Sequence, residues 1–548
     1  MNRYNYLRRP SVKVRVGATT IGGDSPIRLQ SMTNTSTLDT PGSAAQILRI
    51  AAEGADIVRL TTQGVAEAEN MAAISAAVRE KGCGVPLVAD VHFNPNAAFA
   101  AALTCEKVRI NPGNFVDAAR TFRRLEFTDE EYAAEIDRIR EKFIPFLEIC
   151  KAHSTAVRLG VNHGSLSDRI MSRYGDSPAG MVESVMEYLR IAREADFNDI
   201  VISVKASNVV VMVATVRLLV AEMDREGMRF PLHLGVTEAG DGEDGRVKSA
   251  VGIATLLAEG LGDTIRVSLS EAPENEIPVA KALRDYIVAR EGHPRIVEPA
   301  ATSPTPTRDV ADAVSGFGRT PWPLAVGYDI ELPDDALQVD ASTDPGDAPK
   351  AGRVIVISSN HANPTGEIAS WIERYVAGEG RCPVVISLRY DCEDPELVRL
   401  MAAADFGMLM LNGYGSGLHL EAPALTAEER DALLLGILQA ARLRFSKTEY
   451  IACPSCGRTL FDLPGTLAEV RRATSHLRGL KIGVMGCIVN GPGEMADADY
   501  GYVGAGRDRV SLYKGKQLMR KNLPTSEALP ALIALIKEHG DWHDPAAE

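Results

Sequence analysis

The sequence lacks several features that would assign it to a broad class of protein. Its longest apolar runs are short and interrupted, so we expect no membrane-spanning helix. Its basic N-terminus, MNRYNYLRRPSVKVRVG, has no apolar core of the kind a signal peptide needs. Its 8 cysteines among 548 residues are too few for a disulfide scaffold. Together these absences predict a protein of the reducing cytoplasm that does not bind a membrane.

A surplus of positive charge is also missing. The formal net charge is -14, which argues against a general nucleic-acid surface. Any local cluster of cations in so acidic a chain therefore needs a specific reason. With 548 residues, 45% of them hydrophobic, the chain is long enough for about two to four domains with cores of their own.

Between residues 27 and 270, short apolar strands alternate with helical stretches rich in Ala, Leu and Glu. The pattern predicts strands at 27–34, 56–61, 86–91, 107–113, 156–162, 199–207, 231–240 and 264–270. Eight β/α units in series predict a TIM-type (β/α)8 barrel, which we assign to residues 1–291. A doubly wound open sheet is the alternative, although such sheets usually have fewer strands in series.

The middle of the chain has a different composition. Residues 292–350 are rich in Pro, Asp, Ser and Thr, which is typical of linkers and irregular loops. A β/α alternation then resumes, and we interpret 292–446 as an inserted, smaller α/β domain. Its predicted elements are strands at 353–359, 383–390 and 406–415 and helices near 365–378 and at 426–445.

The last part, residues 447–548, contains a cysteine motif. We predict a hairpin at 500–516 and a helix near 525–539, which together indicate a C-terminal α+β domain.

The carboxyl ends of the predicted barrel strands carry an unusual set of polar residues. In a barrel of this kind, that end bears the catalytic residues. Five cations fall there: Arg59, Arg109, Arg158, Lys205 and Arg266. Polar neighbours accompany them: Gln30, Ser31, Thr33, Asp90, His92, Asn111, Asn162, Asn208, Thr237, Glu238 and Ser268. An ion pair would explain any one cation. Five at equivalent positions favour a phosphate or diphosphate ligand over a single carboxylate.

The cysteine motif leaves several metal sites open. CPSCGR supplies Cys453 and Cys456, and GCIVNGPGE supplies Cys487 and Glu494. A zinc ribbon needs a second CxxC or a histidine pair, and the sequence has neither, but His476 keeps a Cys3His zinc site possible. A thioredoxin-like dithiol would leave Cys487 unexplained. Three thiolates can also bind three irons of a [4Fe–4S] cube and leave the fourth iron for another ligand.

Seven motifs together carry a family resemblance: CPSCGR, GCIVNGPGE, ADVHFN, VRINPGN, VKASN, GVTEAG and IRVSLS. They resemble those of the 4-hydroxy-3-methylbut-2-enyl diphosphate synthase family, over roughly 1–290 and 447–548. The residues between resemble the extra central domain of the family's longer, three-domain form, known from plants and some bacteria. We expect that domain to act as a spacer, which lets the cysteine domain fold back onto the barrel of its own chain.

The resemblance implies a reaction and a cofactor. The expected reaction is the reductive opening of 2-C-methyl-D-erythritol 2,4-cyclodiphosphate to 4-hydroxy-3-methylbut-2-enyl diphosphate with loss of water. Ferredoxin or flavodoxin would supply two electrons. The implied [4Fe–4S] cluster is bound by Cys453, Cys456, Cys487 and Glu494. A carboxylate is a displaceable ligand on such a cluster, so one iron can open to the substrate.

The resemblance also implies roles for the barrel residues. The expected catalytic residues are Thr237, Glu238 and Glu494, with Glu238 as a proton donor. The expected substrate-binding residues are Arg59, Arg109, Asn111, Arg158, Asn162, Lys205, Arg266, Ser268 and Asn490. The protein is expected to be a monomer or a homodimer.

Two other functions compete with this interpretation. One is a phosphate-sugar aldolase-type barrel with Lys205 as Schiff base and a structural zinc at the cysteines. The other is a non-enzymatic iron–sulfur scaffold or redox sensor, which would not need five cations at the barrel mouth.

Overall fold

The protein is described here by a computed structural model. The structure describes residues 2–117, 126–300, 311–459, 461–487, 493, 495 and 497–545. The chain forms two compact units. One comprises residues 10–245, 262–280 and 447–548, and the other comprises 1–9, 246–261 and 281–446. The sequence-based boundaries at 291 and 446 stay a prediction.

The first unit begins with an antiparallel hairpin of β1 (Val14–Val16) and β2 (Thr19–Ile21). Eight further strands form one sheet: β3 (Arg28–Met32), β4 (Ile57–Thr62), β5 (Leu87–Val91), β6 (Lys107–Ile110), β7 (Ala156–Asn162), β8 (Ile200–Lys205), β9 (His233–Leu234) and β10 (Thr264–Ile265). All neighbours pair in parallel, in the order β8-β7-β6-β5-β4-β3-β10-β9. A parallel bridge between Ile202 and Leu232 joins the two ends. The predicted barrel is confirmed, and the open sheet is wrong because the sheet closes.

Helices follow the barrel strands in the order expected of β/α units. They are α1 (Thr40–Ala52), α2 (Val65–Glu80), α3 (Pro95–Ala102), α4 (Asp129–His153), α5 (Asp168–Tyr174), α6 (Pro178–Glu194), α7 (Val209–Arg225), α8 (Gly242–Ala258) and α9 (Glu276–Val288). Side-chain caps set several of their starts: Asp39 accepts from Gly42 N, and Asn208 accepts from Val210 N. Such caps fix where each strand-end loop stops, and therefore where its polar side chains lie.

The hairpin closes the amino-terminal end of the barrel. Its apolar side chains pack with residues at or near the starts of four strands, in one buried cluster: Val14, Val16, Ile21, Ile57, Val88, Ala156 and Val201. The hairpin therefore covers this end of the barrel with apolar side chains.

The second unit contains a parallel five-stranded sheet in the order β11-β15-β14-β13-β12. Its strands are β11 (Leu324–Ala325), β12 (Leu337–Asp340), β13 (Ile355–Ser358), β14 (Val384–Arg389) and β15 (Gly417–Glu421). Its helices are α10 (Pro364–Ala377), α11 (Pro395–Leu411) and α12 (Ala427–Ala440). Two short strands thus lie in a stretch that its composition predicted to be linker.

The predicted strand at 406–415 is wrong. Residues 406–411 end helix α11, which begins after the Asp394 cap, and the strand follows at Gly417–Glu421. The run FGMLM, residues 406–410, is buried throughout, so it gives no alternation that would separate a buried helix from a buried strand.

The cysteine-bearing segment belongs to the same compact unit as the barrel. Its sheet has the order β16 (Glu449–Ala452), β17 (Lys481–Met485), β18 (Tyr500–Gly506), β19 (Arg509–Lys514), β20 (Gln517–Pro524). The first three strands pair in parallel, and the last three are antiparallel. With α13 (Leu463–Thr474) and α14 (Thr525–Glu538), this confirms the α+β prediction, including the hairpin and the last helix. Among the described helices, none has the length and hydropathy needed to cross a bilayer.

Candidate active site

A cavity at the carboxyl ends of the barrel strands brings the polar residues and the cysteines together. It encloses about 780 Å³, including space open to solvent. From the barrel it is lined by Met32, Arg59, Asp90, His92, Arg109, Arg158, Asn162, Ser203, Lys205, Thr237, Glu238, Arg266 and Ser268. From the C-terminal segment it is lined by Cys453, Pro454, Ser455, Cys456, Arg458, Met485, Gly486 and Cys487.

Backbone and side-chain contacts hold the cysteine loop on the mouth of its own barrel. A parallel bridge joins Ala239, in the loop after β9, to Ala452 at the end of β16. Ser270 Oγ donates to the carbonyl oxygen of Cys453 at 2.9 Å. Arg458 Nη2 donates to the carbonyl oxygen of Asp90 at 3.2 Å. The site is thus formed within one chain.

Asp90 is the main anion of the cavity. Its Oδ1 lies 3.0 Å from Arg109 Nη1 and 3.9 Å from Arg59 Nη1. Its Oδ2 lies 3.9 Å from Arg458 Nη1. Burial acts to raise the pKa of Asp90, but Arg59 and Arg109 hold that pKa well below its usual range. The carboxylate therefore stays ionised and fixes the guanidinium of Arg109.

A second buried ion pair positions Arg266. Its Nε and Nη2 donate to the two carboxylate oxygens of Glu276 at 3.0 Å and 2.8 Å. Ser31 Oγ donates to the same carboxylate at 2.7 Å. Burial acts to lower the pKa of Arg266, but Glu276 raises that pKa above its usual value. The positive charges of Arg109 and Arg266 are therefore each partly balanced by a carboxylate, that of Asp90 and that of Glu276.

Arg158 and Lys205 differ from these two cations. Both are buried, and neither forms an ion pair with any residue that the structure describes. Burial, then Arg59, lowers the pKa of Arg158 well below its usual value, and burial, then Arg158, lowers the pKa of Lys205. Burial also lowers the pKa of Arg59, to about 10. Basic side chains outnumber acidic ones on the cavity wall, as a multiply charged anion requires.

Two glycines make room for these long side chains. A Cβ on Gly160 of β7 would lie 2.5 Å from Arg109 Nε, and one on Gly235 would lie 2.6 Å from Lys205 Nζ. Atoms cannot approach so closely, so the cations keep their positions because both sites lack a side chain.

The loop after β9 places Thr237 and Glu238 on the cavity wall. Glu238 is 4% exposed and has a φ of 48°, in the left-handed region that a non-glycine residue rarely adopts. Strain of this kind is common where a side chain must be aimed at a ligand. Asn162 and Ser268 also line the cavity, as predicted from the strand ends.

Asn111 does not line the cavity. Its amide donates to Ser165 Oγ at 3.1 Å, and its Oδ1 accepts from Gly113 N at 3.0 Å, so it holds the loop after β6. Its predicted contact with substrate stays a prediction. Two other predicted site residues, Asn490 and Glu494, lie outside the described residues.

The three cysteines share one wall of the cavity. Gly486 N donates to Cys453 Sγ at 3.3 Å, the kind of amide–sulfur contact that stabilises a thiolate ligand. Burial, and then the nearby thiols of Cys456 and Cys487, raise the pKa of Cys453 well above its usual value. A metal centre would supply the positive charge that these thiolates need.

The three cysteines suit an iron–sulfur cluster. In a [4Fe–4S] cube each thiolate bonds a different iron, and three cysteines line one wall of this cavity.

Several residues of the site were missed at the level of sequence. Arg458 lies in CPSCGR, two residues after Cys456, and its position in that motif was a usable signal. Asp90 and His92 were noted at the strand end but were given no role. Glu276 opens helix α9 and gave no signal, because its importance depends on Arg266 lying beside it.

The fold and the site define a TIM-barrel protein whose mouth is faced by a thiol-bearing α+β domain of the same chain. The sequence model of the GcpE TIM-barrel domain matches residues 11–281, and that of the GcpE protein C-terminal domain matches 449–538. The chain belongs to the GcpE family.

Three relatives match over nearly their whole length, and each is named 4-hydroxy-3-methylbut-2-en-1-yl diphosphate synthase (flavodoxin). The protein of Parabacteroides distasonis is 51% identical, over 99% of this chain and 100% of the relative. That of Akkermansia muciniphila is 41% identical, over 99% of this chain and 98% of the relative. That of Leptospira interrogans is 38% identical, with the same coverage of 99% and 98%.

Proposed function

We propose that this chain is a 4-hydroxy-3-methylbut-2-enyl diphosphate synthase. It converts 2-C-methyl-D-erythritol 2,4-cyclodiphosphate to 4-hydroxy-3-methylbut-2-enyl diphosphate, an intermediate of the non-mevalonate isoprenoid pathway. The observation that carries the proposal is one cavity with cations on the barrel side and three cysteines on the other side. The relatives of this length share that activity by name.

The overall reaction balances with two electrons and two protons entering and one water leaving. The ring opens when a carbon–oxygen bond to the diphosphate breaks, and a hydroxyl group departs as water. Flavodoxin is the proposed electron donor because the relatives carry it in their names, and ferredoxin is the other predicted donor. We place the reaction in the cytoplasm, because free thiols and such a donor need a reducing compartment.

The barrel cations bind the diphosphate. Arg158 and Lys205 are the cations without a carboxylate partner in the described structure, so they are available to the phosphoryl oxygens. Arg109 and Arg266 are held by Asp90 and Glu276, so their guanidinium groups are fixed before substrate arrives. Because these two side chains are already fixed, less conformational entropy is lost when the ligand binds.

The cysteine wall fits the cofactor that the family uses. Cys453, Cys456 and Cys487 would hold the [4Fe–4S] cluster, with Glu494 as the predicted fourth ligand. When bound, the cluster supplies electrons and a Lewis-acidic iron for the departing oxygen. Since the three thiols and the cations line the same cavity, a diphosphate held by Arg158 and Lys205 would have its carbon skeleton beside the cysteine wall.

Glu238 is the residue proposed to move a proton. Its carboxyl group lies on the cavity wall, in a loop whose φ of 48° aims it inward. A carboxyl proton on Glu238 would protonate the hydroxyl group that leaves as water. The adjacent Thr237 would hydrogen-bond the substrate. Hydrogen bonds from Arg458 and from Ser270 hold the cysteine loop on the barrel mouth.

Two other functions are less well supported. An aldolase-type reaction at Lys205 would not use the cysteine wall, and the names of the relatives do not favour it. A redox sensor would not need buried cations opposite its cluster.

The test is substrate binding by a Lys205→Ala variant. Loss of one buried charge contact typically costs about 2–5 kcal/mol, so binding should weaken by tens-fold or more. The visible spectrum of the cluster should not change, because Lys205 lies on the barrel side. A Lys81→Ala variant, in which an exposed lysine is removed, is the control and should bind as wild type does. Unaltered binding by Lys205→Ala would place the diphosphate elsewhere.

A further inference from the structure

A layer of polar residues lies beneath the cavity, inside the barrel. Its members are Gln30, Lys107 and His233, and we call them the polar layer. Each precedes by two residues an inward residue at the level of the cavity: Met32, Arg109 and Gly235. Strand alternation therefore turns all three inward. Barrel interiors are normally filled by Val, Ile and Leu, so this layer has no counterpart in ordinary packing.

Four of the five polar side-chain atoms of this layer are buried with no hydrogen-bond partner in the described structure; the fifth, His233 Nδ1, lies 3.4 Å from Thr264 Oγ1. Lys107 is 0% exposed, and its Nζ has no hydrogen-bond partner among the described residues. The same holds, within that part of the chain, for both amide atoms of Gln30 and for Nε2 of His233. Burying an ammonium group without a partner is costly, so the environment favours the uncharged amine of Lys107.

The groups that face Lys107 are either apolar or cationic. On β5 the register places Val88 beside it, and on β7 it places Ala156. The charges that act on Lys107 are those of Arg158 and Arg59. His233 also lies within the range of electrostatic interaction with Lys107. Burial, followed by Arg158 and Arg59, lowers the pKa of Lys107 well below its usual value. No carboxylate among the described residues forms an ion pair with it.

We propose that Lys107 is uncharged in the substrate-free barrel and takes up a proton when the cyclic diphosphate binds in the cavity above it. This inference rests on the proposed diphosphate site. The two negative charges of the ligand would lie against Arg158, which lines the cavity and repels a charge on Lys107. Once that cation is neutralised, a proton from solvent can bind Nζ. Substrate binding and proton uptake are then linked.

Lys107 would act as a positioning residue. It does not line the cavity, so it does not touch substrate. In its charged form it would add a positive charge beneath Arg158 only while the ligand is bound. In the free protein, the uncharged Lys107 adds no unpaired cation to the barrel interior. In the complex, the negative charge of the diphosphate balances the charge that Lys107 gains.

Calorimetry of cyclic diphosphate binding tests the proposal. Titrations in two buffers with different ionisation enthalpies give the number of protons taken up per site. Each phosphorus of the ring carries one strongly acidic oxygen, so the ligand itself does not titrate near neutral pH. Wild-type protein should take up protons on binding. Lys205, whose pKa burial also lowers, is present in both proteins, so Lys107→Met should still take up fewer protons than wild type, by up to one per site. Lys81→Met, the same change at an exposed lysine, should match wild type.

The stability of Lys107→Met gives a second readout. Because the folded-state pKa of Lys107 is lowered, the unfolded chain binds more protons than the folded one between that pKa and the usual lysine value. In wild type this group therefore lowers stability as pH falls through that window. Lys107→Met removes the effect, so its Tm should exceed that of wild type, and by more at pH 7 than at about pH 10.

Each outcome decides something. If wild type binds the cyclic diphosphate and Lys107→Met takes up as many protons, the proposal is wrong and the diphosphate site stands. If wild type does not bind it, the proposed function fails and this inference fails with it. If Lys107→Met does not fold, or is less stable than wild type at pH 7, Lys107 has a structural role and is not an uncharged, unpartnered amine.

Discussion

Arg266 and Lys205 are both buried cations of the cavity, but within the described structure Arg266 alone of the two has a carboxylate partner. Arg266 is held in place by a carboxylate, whereas Lys205 is available to bind a ligand. Mutations of the two kinds of residue should therefore have different effects. Removing a partner such as Glu276 should damage the fold, whereas removing Lys205 should damage binding.

Glu276→Gln tests the first effect. The change leaves the buried guanidinium of Arg266 without a compensating charge, and breaking such a pair costs about 3–5 kcal/mol. Chemical denaturation should show a loss of that order, together with a raised KM. Glu274→Gln is the matched control, because Glu274 pairs with Arg49, whose side chain is 56% exposed. A surface pair of that kind contributes at most about 1 kcal/mol. Equal losses in the two variants would contradict the assignment.

The residue scale also shows what the sequence could and could not predict about the site. The sequence indicates Arg59, Arg158 and Lys205 because each lies near the carboxyl end of a predicted barrel strand. Lys107 could have been found by strand alternation, since it shares a strand face with Arg109. Glu276 could not, because a glutamate at the start of a helix has no special sequence context. Its role depends on a tertiary contact with Arg266.

At the scale of elements, β7 combines a cation with the space that another cation needs. Arg158 and Gly160 both lie on its inward face, two residues apart. Arg109 of β6 donates to the Gly160 carbonyl oxygen at 2.8 Å. The guanidinium of Arg109 is held at its other end by Asp90. It therefore has little freedom to move away from a new side chain on β7.

Gly160→Ala should therefore impair binding without unfolding the barrel. The added Cβ would lie 2.5 Å from Arg109 Nε, so the guanidinium must shift. We expect KM to rise about tenfold, which corresponds to about 1.4 kcal/mol, and circular dichroism to stay unchanged. Gly84→Ala, where no atom lies within 4 Å of the new Cβ, is the control. An unchanged KM in Gly160→Ala would show that Arg109 does not need its observed position.

Elements also differ in how far the sequence predicted them. The barrel strands were found because eight apolar segments alternate with helices, although β9 and β10 each have two residues of regular pairing. The strand predicted at 406–415 is wrong because residues 406–410, a buried stretch of helix α11, have the apolar composition of a buried strand. The sequence does not indicate β20, because none of its residues is buried and its apolar residues do not alternate regularly with polar ones.

At the scale of the whole molecule, the cysteine segment and the barrel of one chain form one compact unit. Lys516 Nζ lies 3.1 Å from Asp176 Oδ2, and Arg471 pairs with Asp241 at 2.5 Å. These contacts, with those of the cysteine loop, support a site built within a single chain. The expectation that residues 292–446 act as a spacer stays a prediction.

A mixing experiment tests whether the site belongs to one chain. A Lys205→Ala chain and a Cys487→Ser chain are each expected to be inactive. If each chain builds its site from its own barrel and cysteines, a mixture of the two has no complete site and stays inactive. A mixture of two wild-type preparations serves as the control. Recovery of substantial activity would show that a barrel can use the cysteines of another chain.

The most direct test of the central claim is the electron paramagnetic resonance spectrum of anaerobically purified, reduced protein, with and without the cyclic diphosphate. The claim is that the barrel cations hold this substrate against a [4Fe–4S] cluster on the cysteine wall. Wild type should show the signal of a reduced [4Fe–4S] cluster, and that signal should change when the cyclic diphosphate is added. In Lys205→Ala the same signal should be present, but much more substrate should be needed to change it. A wild-type signal that saturating substrate leaves unchanged would contradict the account.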